Sequence, residues 1–274
     1  MVDRAFASIR LNRRDSKPRR RGLTEIRGPY YTVVGVRYLT DLFETMGDYV
    51  DGVKYAGGAF ALMPRERVRE LNDLVHRFDA YVSTGGWIEY VLMHEGPAGV
   101  DRYLGEAQAL GFDVVELSTG FISLPPDDLL ALIGAVKAAG LKAKPELGIQ
   151  FGAGGDTPGA ELAAEGTRDV RWLVTQARHC LDAGAEWIMI ESEGITENVA
   201  TWRTDVVARI VEEIGLDTVM FEAADPRVFE WYVKTYGADV NLFVDHSQIV
   251  QLECLRTGIW GTKGSWGRIA TYRP

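Results

Sequence analysis

Short apolar runs alternate with longer amphipathic segments eight times along the chain, and this alternation limits the fold more than any other feature. Each apolar run ends in glycine or a polar residue, and a segment with helical 3.6-residue periodicity follows it. Strands that alternate with helices form parallel sheets, and eight such units are enough to close a barrel. The length of 274 residues also suits one (β/α)8 TIM barrel, for which ~250 is typical.

The predicted elements follow this pattern from end to end. We predict eight strands, at residues 23–26, 52–56, 80–84, 114–118, 142–147, 187–191, 218–223 and 241–245. We predict eight helices, at residues 39–46, 65–78, 99–110, 126–139, 170–183, 205–214, 226–236 and 249–256. Asp225 is a suitable cap for the helix that starts at Pro226. An open doubly wound sheet is the main alternative, but the first strand lacks the Gly-x-Gly-x-x-Gly turn typical of that fold.

Basic residues are concentrated at the start of the chain. We therefore divide the chain into a basic N-terminal arm, residues 1–21, and a barrel domain, residues 22–274. The arm holds eight of the 30 basic residues and two of the 39 acidic ones, which leaves a charge of −15 on the barrel domain. Such a body repels nucleic acid. We expect the arm to be solvated and partly disordered, so that removing residues 1–16 leaves folding and catalysis nearly unchanged.

Cysteine content and hydropathy indicate the cellular environment and the kinds of partner to expect. Cys180 and Cys254 are the only two cysteines, and both fall in helical patterns, so we expect no disulfide framework and a cytoplasmic location. No segment approaches the ~20 apolar residues of a membrane-spanning helix. The expected partners are therefore small-molecule substrates, without nucleic acid or membrane. A homo-oligomer is compatible with the sequence, since barrels of this kind often associate.

Carboxylates end five consecutive predicted strands, on the side where barrel enzymes carry their active sites. Because alternate strand residues face the interior, we expect Glu116, Glu146, Glu191 and Glu222 to converge in one pocket. Like charges held together are costly, and carboxylate oxygens suit Mg²⁺. We predict Mg²⁺ as the cofactor and as a requirement for activity. The predicted ligands are Glu116, Glu191, Glu222 and Asp245.

Two lysines and several glycines lie at the same predicted mouth. Diglycine turns let backbone N–H groups approach an anion, and phosphate commonly binds at the start of the last barrel helix. This combination indicates a phosphorylated carboxylic acid as substrate. The expected substrate contacts are Gly57, Gly58, Gly85, Gly86, Ser118 and Ser247.

Position along the strands suggests separate catalytic roles for the lysines. Lys144 lies two residues before Glu146 and shares its parity, so we predict that Lys144 is the proton donor. Lys54 is expected to neutralise a phosphate. Glu146 completes this catalytic set, and His246 is the next candidate for the proton donor.

Several motifs, taken in order, resemble the phosphosulfolactate synthase family. The resemblance covers nearly the whole chain beyond residue 16, and residues 241–248 are most similar to a branch that includes a plant heat-stress-associated protein. The motifs are Lys17-Pro18-Arg19, Gly22-Leu23-Thr24, Asp51-Gly52-Val53-Lys54, Gly85-Gly86, Glu116-Leu117-Ser118-Thr119-Gly120, Phe221-Glu222-Ala223, Val240-Asn241-Leu242 and Leu252-Glu253-Cys254-Leu255-Arg256 with Gly258 and Gly261.

The resemblance implies a (β/α)8 lyase that forms a carbon–sulfur bond. It implies Mg²⁺-dependent addition of sulfite to phosphoenolpyruvate, which gives (2R)-phospho-3-sulfolactate for coenzyme M biosynthesis. The metal would stabilise an enolate-like species, and a lysine would protonate the adjacent carbon. The last motif also adds Arg256 to the expected substrate contacts.

The sequence departs from the archaeal pattern of this family at two positions. After Glu146-Leu147-Gly148, the family continues into two lysines, whereas this chain has Ile149-Gln150. The sixth strand ends in Glu191-Ser192-Glu193-Gly194, without the arginine of the family pattern. Two alternatives therefore stay open. One is a metal-dependent aldolase or isomerase acting on another phosphorylated carboxylic acid, and the other is a non-catalytic stress-related barrel protein.

Overall fold

Eight parallel strands close into a barrel in which neighbours in sequence are also neighbours in space. The computed structural model describes residues 4–155, 157–223, 225–259 and 264–272. This closed sheet confirms the predicted (β/α)8 architecture, and a hydrophobic core fills the space between the strands and the outer helices. Within the described ranges, no helix is long and apolar enough to cross a membrane. Gly261, from the last family-like motif, lies outside those ranges.

The strands agree closely with their predicted positions. β5 matches its predicted span, β1 is shifted by one residue, and the others are shorter by one or two residues. Their bounds are β1 (Thr24–Arg27), β2 (Gly52–Tyr55), β3 (Tyr81–Thr84), β4 (Val114–Leu117), β5 (Lys142–Leu147), β6 (Ile188–Ile190), β7 (Val219–Glu222) and β8 (Leu242–Asp245).

The helices form the outer layer. Asp225 caps α8 as expected, because its side chain accepts a hydrogen bond from Arg227 N at 2.7 Å. The bounds are α1 (Val36–Met46), α2 (Arg65–His76), α3 (Ile88–Leu110), α4 (Pro126–Ala138), α5 (Gly159–Glu165), α6 (Val170–Asp182), α7 (Thr204–Ile214), α8 (Pro226–Tyr236) and α9 (Ile249–Arg256).

Two helical segments differ from the prediction. α3 begins at Ile88 instead of residue 99, and Gly96, with φ of 62°, interrupts it just before Pro97. The Gly-Pro pair explains why only the second half has uninterrupted helical periodicity. The seven-residue helix α5 was not predicted, since it lies inside the long β5–α6 connection and buries only Leu162.

An apolar cluster supports the polar side chains inside the barrel. Leu23, Met189, Met220 and Phe243 pack together there, with Trp187 against them. Three residues of this cluster lie two positions before an inward carboxylate. Leu23 precedes Glu25, Met189 precedes Glu191, and Met220 precedes Glu222. The carboxylates are therefore raised toward the carboxyl ends of the strands, where substrates reach a barrel.

The second half of the basic arm packs on the barrel instead of being solvated as predicted. Arg14 pairs with Glu253 of α9, and both side chains are at most 5% exposed. Arg19 Nη1 donates to Asp51 Oδ1 at 2.8 Å, and Asp51 also accepts from Thr24 N. Lys17 Nζ donates to two backbone carbonyl oxygens, those of Gly47 and Phe78. Arg14, Lys17 and Arg19 thus bind carboxylates and backbone carbonyls at the amino-terminal end of the barrel.

We therefore expect Arg14→Ala to destabilise the fold by about 3–5 kcal/mol, because it leaves Glu253 buried without its main partner. Truncation of residues 1–16 should lower the melting temperature for the same reason. Arg21→Ala is a matched control, since Arg21 is half exposed and solvent screens its ion pairs with Asp15 and Asp239, so we expect little change in stability. Urea denaturation measures both variants, and equal stability of the two would contradict this role for Arg14.

Candidate active site

Three carboxylates meet at the mouth of the barrel. Glu146 lies on β5, Glu191 directly follows β6, and Glu222 ends β7. One oxygen from each of the three lies within 4.8 Å of the others. The structure thus brings together three of the acidic strand ends that were expected to converge, and it places Glu146, expected to be catalytic, beside the expected metal ligands Glu191 and Glu222.

Lys54, on β2, reaches across the barrel to this carboxylate cluster. Its Nζ lies 2.8 Å from Glu116, 3.2 Å from Glu222 and 3.6 Å from Glu146. Burial by itself would lower the pKa of Lys54, but the combined charges of the neighbouring carboxylates outweigh burial and raise that pKa well above its ordinary value. Lys54 is therefore a firmly protonated ammonium group at the centre of the site.

A second ion pair lies deeper in the barrel. Lys144 Nζ contacts both carboxylate oxygens of Glu25 at 2.7 Å, and neither side chain is exposed. Lys144 also lies 3.2 Å from Glu116 Oε2, whereas Lys54 binds the other oxygen of Glu116. Glu116 is thus shared between two lysines. Both of its oxygens already have a cationic partner, although Glu116 was expected to bind metal.

Burial, and then crowding with other carboxylates, raises the pKa values of Glu146 and Glu191. Burial, followed by the charge of Glu116, raises the pKa of Glu146 to about 8, although Lys54 opposes the shift. Burial, followed by the charges of Glu222 and Glu146, raises the pKa of Glu191 well above its ordinary value. Burial is the larger cause of both shifts and the neighbouring carboxylates add to it, so both effects favour the protonated forms of Glu146 and Glu191.

The arrangement fits a divalent cation. Among the described residues, Lys54 and Lys144 share the barrel interior with the carboxylates of Glu25, Glu116, Glu146, Glu191 and Glu222. Three of them present oxygen atoms close enough to share one ion, and oxygen is the donor that Mg²⁺ prefers. Glu146, Glu191 and Glu222 are therefore the residues that would hold a metal.

The pKa of Glu146 predicts how stability depends on pH without metal. Between about pH 4.5 and 8, Glu146 keeps its proton in the folded chain but loses it in the unfolded chain. Stability of the metal-free protein should therefore fall as pH rises through this interval. Melting temperatures in chelator test this expectation, and Glu146→Gln should flatten the slope. A stability that rises with pH in both proteins would contradict it.

The buried Lys144–Glu25 pair predicts a large effect on folding. Lys144→Met should destabilise the protein by about 3–5 kcal/mol, because Glu25 would stay buried without its partner. The double variant Glu25→Leu/Lys144→Met removes both charges and should recover most of that loss. Urea denaturation of the two variants measures the difference, and a double variant no more stable than the single one would contradict a charge-pair role.

The diglycine turns are explained by close packing at the mouth. A Cβ atom on Gly85 would lie 2.5 Å from the carbonyl oxygen of Tyr55, and one on Gly86 would lie 2.7 Å from Ser118 Cβ. Ser118 in turn donates to Glu146 Oε1 at 2.8 Å. The turn at Gly85-Gly86 therefore borders the carboxylate cluster through Ser118. On the neighbouring loop, Gly57 adopts a φ of 54°, and Gly58 lies against Trp87.

The end of β8 is arranged differently from the prediction. Asp245 accepts hydrogen bonds from Ser247 N at 3.0 Å and from Ser247 Oγ at 2.5 Å, so it caps the following turn. It does not belong to the three-carboxylate cluster. The N–H group of Ser247, which was expected to bind phosphate, is taken by this carboxylate. His246 Nδ1 lies 2.6 Å from the hydroxyl of Tyr38 on α1, which gives that ring a partner outside the cluster.

Arg256 lies at the opposite end of the barrel. Its fully buried guanidinium donates to backbone carbonyls before β1 and β8, including Gly22 O at 2.6 Å and Val240 O at 3.0 Å. The substrate contact expected from its motif is therefore not supported by its position. A structural role explains the residue instead, since the guanidinium ties α9 to the strand starts.

Sequence reasoning missed two inward-facing residues, Glu25 and Arg27, and it assigned no separate role to Glu193. Glu25 and Arg27 lie on β1, the strand for which no site residue was predicted, although both have the inward parity of that strand. Glu193 is fully buried and accepts hydrogen bonds from Gly154 N, Gly155 N and Thr157 N, so it anchors the loop that follows β5. Parity alone could have identified the pair on β1.

Comparisons with known proteins identify a family model, two relatives and a solved structure that this chain resembles. A family model described as (2R)-phospho-3-sulfolactate synthase (ComA) matches residues 12–262. Protein HEAT-STRESS-ASSOCIATED 32 of Arabidopsis thaliana is 39% identical over 254 residues, 89% of this chain and 88% of the relative. Phosphosulfolactate synthase of Methanothermobacter thermautotrophicus is 27% identical over 255 residues, 90% and 93% of the two chains. The structure of 3-hexulose-6-phosphate synthase from Salmonella typhimurium matches at a TM-score of 0.52 and 11% identity, with 85% and 99% coverage, which concerns the fold alone.

Proposed function

Because the chain belongs to the (2R)-phospho-3-sulfolactate synthase family, we propose that it is a lyase that adds sulfite to phosphoenolpyruvate in the presence of Mg²⁺. The product would be (2R)-phospho-3-sulfolactate, an early intermediate of coenzyme M biosynthesis in the organisms that make it. The observation that carries this proposal is the cluster of Glu146, Glu191 and Glu222 beside the ammonium group of Lys54.

The carboxylate cluster supports the metal requirement. Glu146, Glu191 and Glu222 would hold the ion through one oxygen each, and Ser118 would orient Glu146 through its hydrogen bond. When bound, Mg²⁺ would stabilise negative charge on the substrate carboxylate. Its charge would also offset the excess of carboxylates over lysines.

Lys54 is the best candidate for the proton donor, because Mg²⁺ held by Glu146 and Glu222 would offset part of the negative charge that raises the pKa of Lys54 and so bring it closer to the range of an effective donor. The sulfur lone pair of sulfite forms a bond to C3 of phosphoenolpyruvate, and the C2–C3 π electrons move toward the carboxylate. The ammonium of Lys54 then gives a proton to C2 and recovers one from solvent, while the phosphate ester stays intact. Lys144, which parity had favoured, is fully buried between Glu25 and Glu116 and has no exposed surface. Lys144 is better suited to fix the charge and orientation of Glu116.

The mouth also offers contacts for the substrate. We propose that the loops at Gly57-Gly58 and Gly85-Gly86, together with Ser118, border the bound anions. Ser247 is not retained, because Asp245 occupies its N–H group and hydroxyl. A cytoplasmic location is consistent with the two free cysteines, Cys180 and Cys254.

A second candidate is the addition of a different nucleophile to the same phosphorylated acid. The side chain of Gln150 donates to Leu162 O at 2.6 Å and to Gly166 O at 2.8 Å, so it closes the connection after β5 instead of offering a cation to an anion. The two lysines of the archaeal pattern are thus replaced by groups with structural roles. A non-catalytic stress function is favoured only by the 39% identity to the Arabidopsis protein, and it leaves the carboxylate cluster unexplained.

The proton-transfer step gives a specific test of this function. In deuterated water with phosphoenolpyruvate, sulfite and Mg²⁺, the product should carry one deuterium at C2 and none at C3, measured by NMR and mass spectrometry. Omitting the enzyme is the control for spontaneous sulfite addition. A product without the phosphate ester, or with deuterium at C3, would contradict the proposed sequence of bond changes.

A further inference from the structure

Arg27 is a cation at the mouth for which the described part of the chain supplies no hydrogen-bond acceptor. It is the last residue of β1 and pairs in register with Lys54 on β2 and with Asp245 on β8. Its Nε atom is buried without a hydrogen-bond partner. Considering only the described residues, its guanidinium forms neither a hydrogen bond nor an ion pair. Buried donors are nearly always satisfied in proteins, so this group calls for an acceptor beyond those that the described residues supply, such as a bound anion.

Aromatic rings fix the position of this guanidinium. Its carbon lies 5.0 Å from the ring centroid of Tyr31 and 5.3 Å from that of Phe243. The Nζ atom of Lys54 lies 4.4 Å from the same Phe243 ring. Contacts to the ring faces leave the N–H groups of a guanidinium available in its own plane, where they match the paired oxygens of a phosphate or a carboxylate.

Arg27 and the candidate metal ligands lie on different strands of the barrel. The three carboxylates lie on or directly after β5, β6 and β7, whereas Arg27 ends β1, and Lys54 reaches from β2 into the carboxylate cluster. An elongated anion with two acidic ends can therefore direct one end to the metal side and the other to Arg27. The start of the turn after β8 does not supply the second contact, because Asp245 already binds Ser247 N.

We propose that Arg27 binds the phosphate group of the substrate and thereby selects phosphorylated acids over their unphosphorylated analogues. The identity of the whole substrate rests on the function proposed above, whereas the anion contact rests on Arg27 itself. In this arrangement, Arg27 is a specificity residue that does not exchange protons. Lys54 lies between the two ends of the substrate, close to the carbon that receives the proton.

Binding measurements on Arg27→Gln test this inference. Isothermal titration calorimetry with Mg²⁺ present compares phosphoenolpyruvate with oxalate, a dicarboxylate that binds metal and has no phosphate. Arg27→Gln should weaken phosphoenolpyruvate binding about 10- to 100-fold, the range expected when a charged hydrogen-bond pair is lost. Oxalate binding should stay within about twofold. Arg27→Lys keeps the charge without the paired donors and should give an intermediate loss.

A control variant and a third titration distinguish the anion contact of Arg27 from the proposed function. Arg209→Gln removes the same charge from an exposed ion pair on α7 and should bind both ligands as the wild type does. Equal losses for phosphoenolpyruvate and oxalate, or no loss for either, would overturn the role of Arg27. A third titration uses inorganic phosphate in chelator, without any assumption about the reaction. The protein could bind phosphate in a manner that depends on Arg27 and yet fail to bind phosphoenolpyruvate. That result would support the anion site and overturn the proposed substrate.

Discussion

Replacing Lys54 with methionine should lower kcat by about 10²- to 10⁴-fold under saturating substrate, the loss typical for removal of a general acid. Lys54 is the lysine that contacts Glu116, Glu146 and Glu222 together, and it is 5% exposed, so it borders the space that a substrate would enter. Its loss would also increase the repulsion within the cluster. Steady-state kinetics at fixed Mg²⁺ measures the effect, with circular dichroism to establish that the variant is folded.

Lys142→Met is the matched control for this prediction. Lys142 begins β5, pairs with Glu186 at 2.8 Å and is about half exposed, far from the carboxylate cluster along its strand. It should keep a kcat near that of the wild type. A folded Lys54→Met protein with normal kcat and only a raised KM would contradict the assignment of Lys54 as proton donor, and would favour the binding role that its sequence position first suggested.

Replacing Glu222 with glutamine should weaken Mg²⁺ binding by at least about 100-fold, more than the 10- to 100-fold typical for groups that only support a ligand. Glu222 belongs to the three-carboxylate cluster and accepts from Lys54 at 3.2 Å. The amide would remove a charged oxygen ligand while keeping the size of the side chain. Titration of metal-free protein with Mg²⁺ or Mn²⁺ measures the change, and activity should fall in parallel.

Asp245→Asn is the corresponding control. Asp245 ends the next strand and was an equally good ligand by sequence, but in the structure it caps the turn at Ser247. Its replacement should change metal affinity by less than about threefold, a small effect beside the loss of a true ligand. If Asp245→Asn lowers metal affinity as much as Glu222→Gln does, the metal site has been assigned to the wrong side of the mouth.

The fold was predictable because its signals are local. Hydrophobic periodicity within each segment distinguished strands from helices, and eight repeats indicated closure. Parity along each strand then correctly predicted that Glu116, Glu146 and Glu222 face the interior. The same local logic failed at α3, where Gly96 and Pro97 interrupt the helix.

The partners of the inward side chains were not predictable from local pattern. Lys144 and Glu25 are 119 residues apart in sequence and meet only because the barrel closes between β8 and β1. The pairing of Arg14 with Glu253 likewise depends on how the arm crosses the strand starts. Which carboxylates bind lysine and which remain for a metal is decided by these long-range contacts.

The most direct test of the proposed reaction is the loss of phosphoenolpyruvate, followed by its ultraviolet absorbance, in the presence and absence of sulfite and of Mg²⁺. We expect loss only when both are present, with one sulfite consumed for each phosphoenolpyruvate and almost no loss with Glu222→Gln. Full turnover by protein shown to be free of metal would contradict it. So would folded, Mg²⁺-loaded protein that leaves phosphoenolpyruvate unchanged in sulfite.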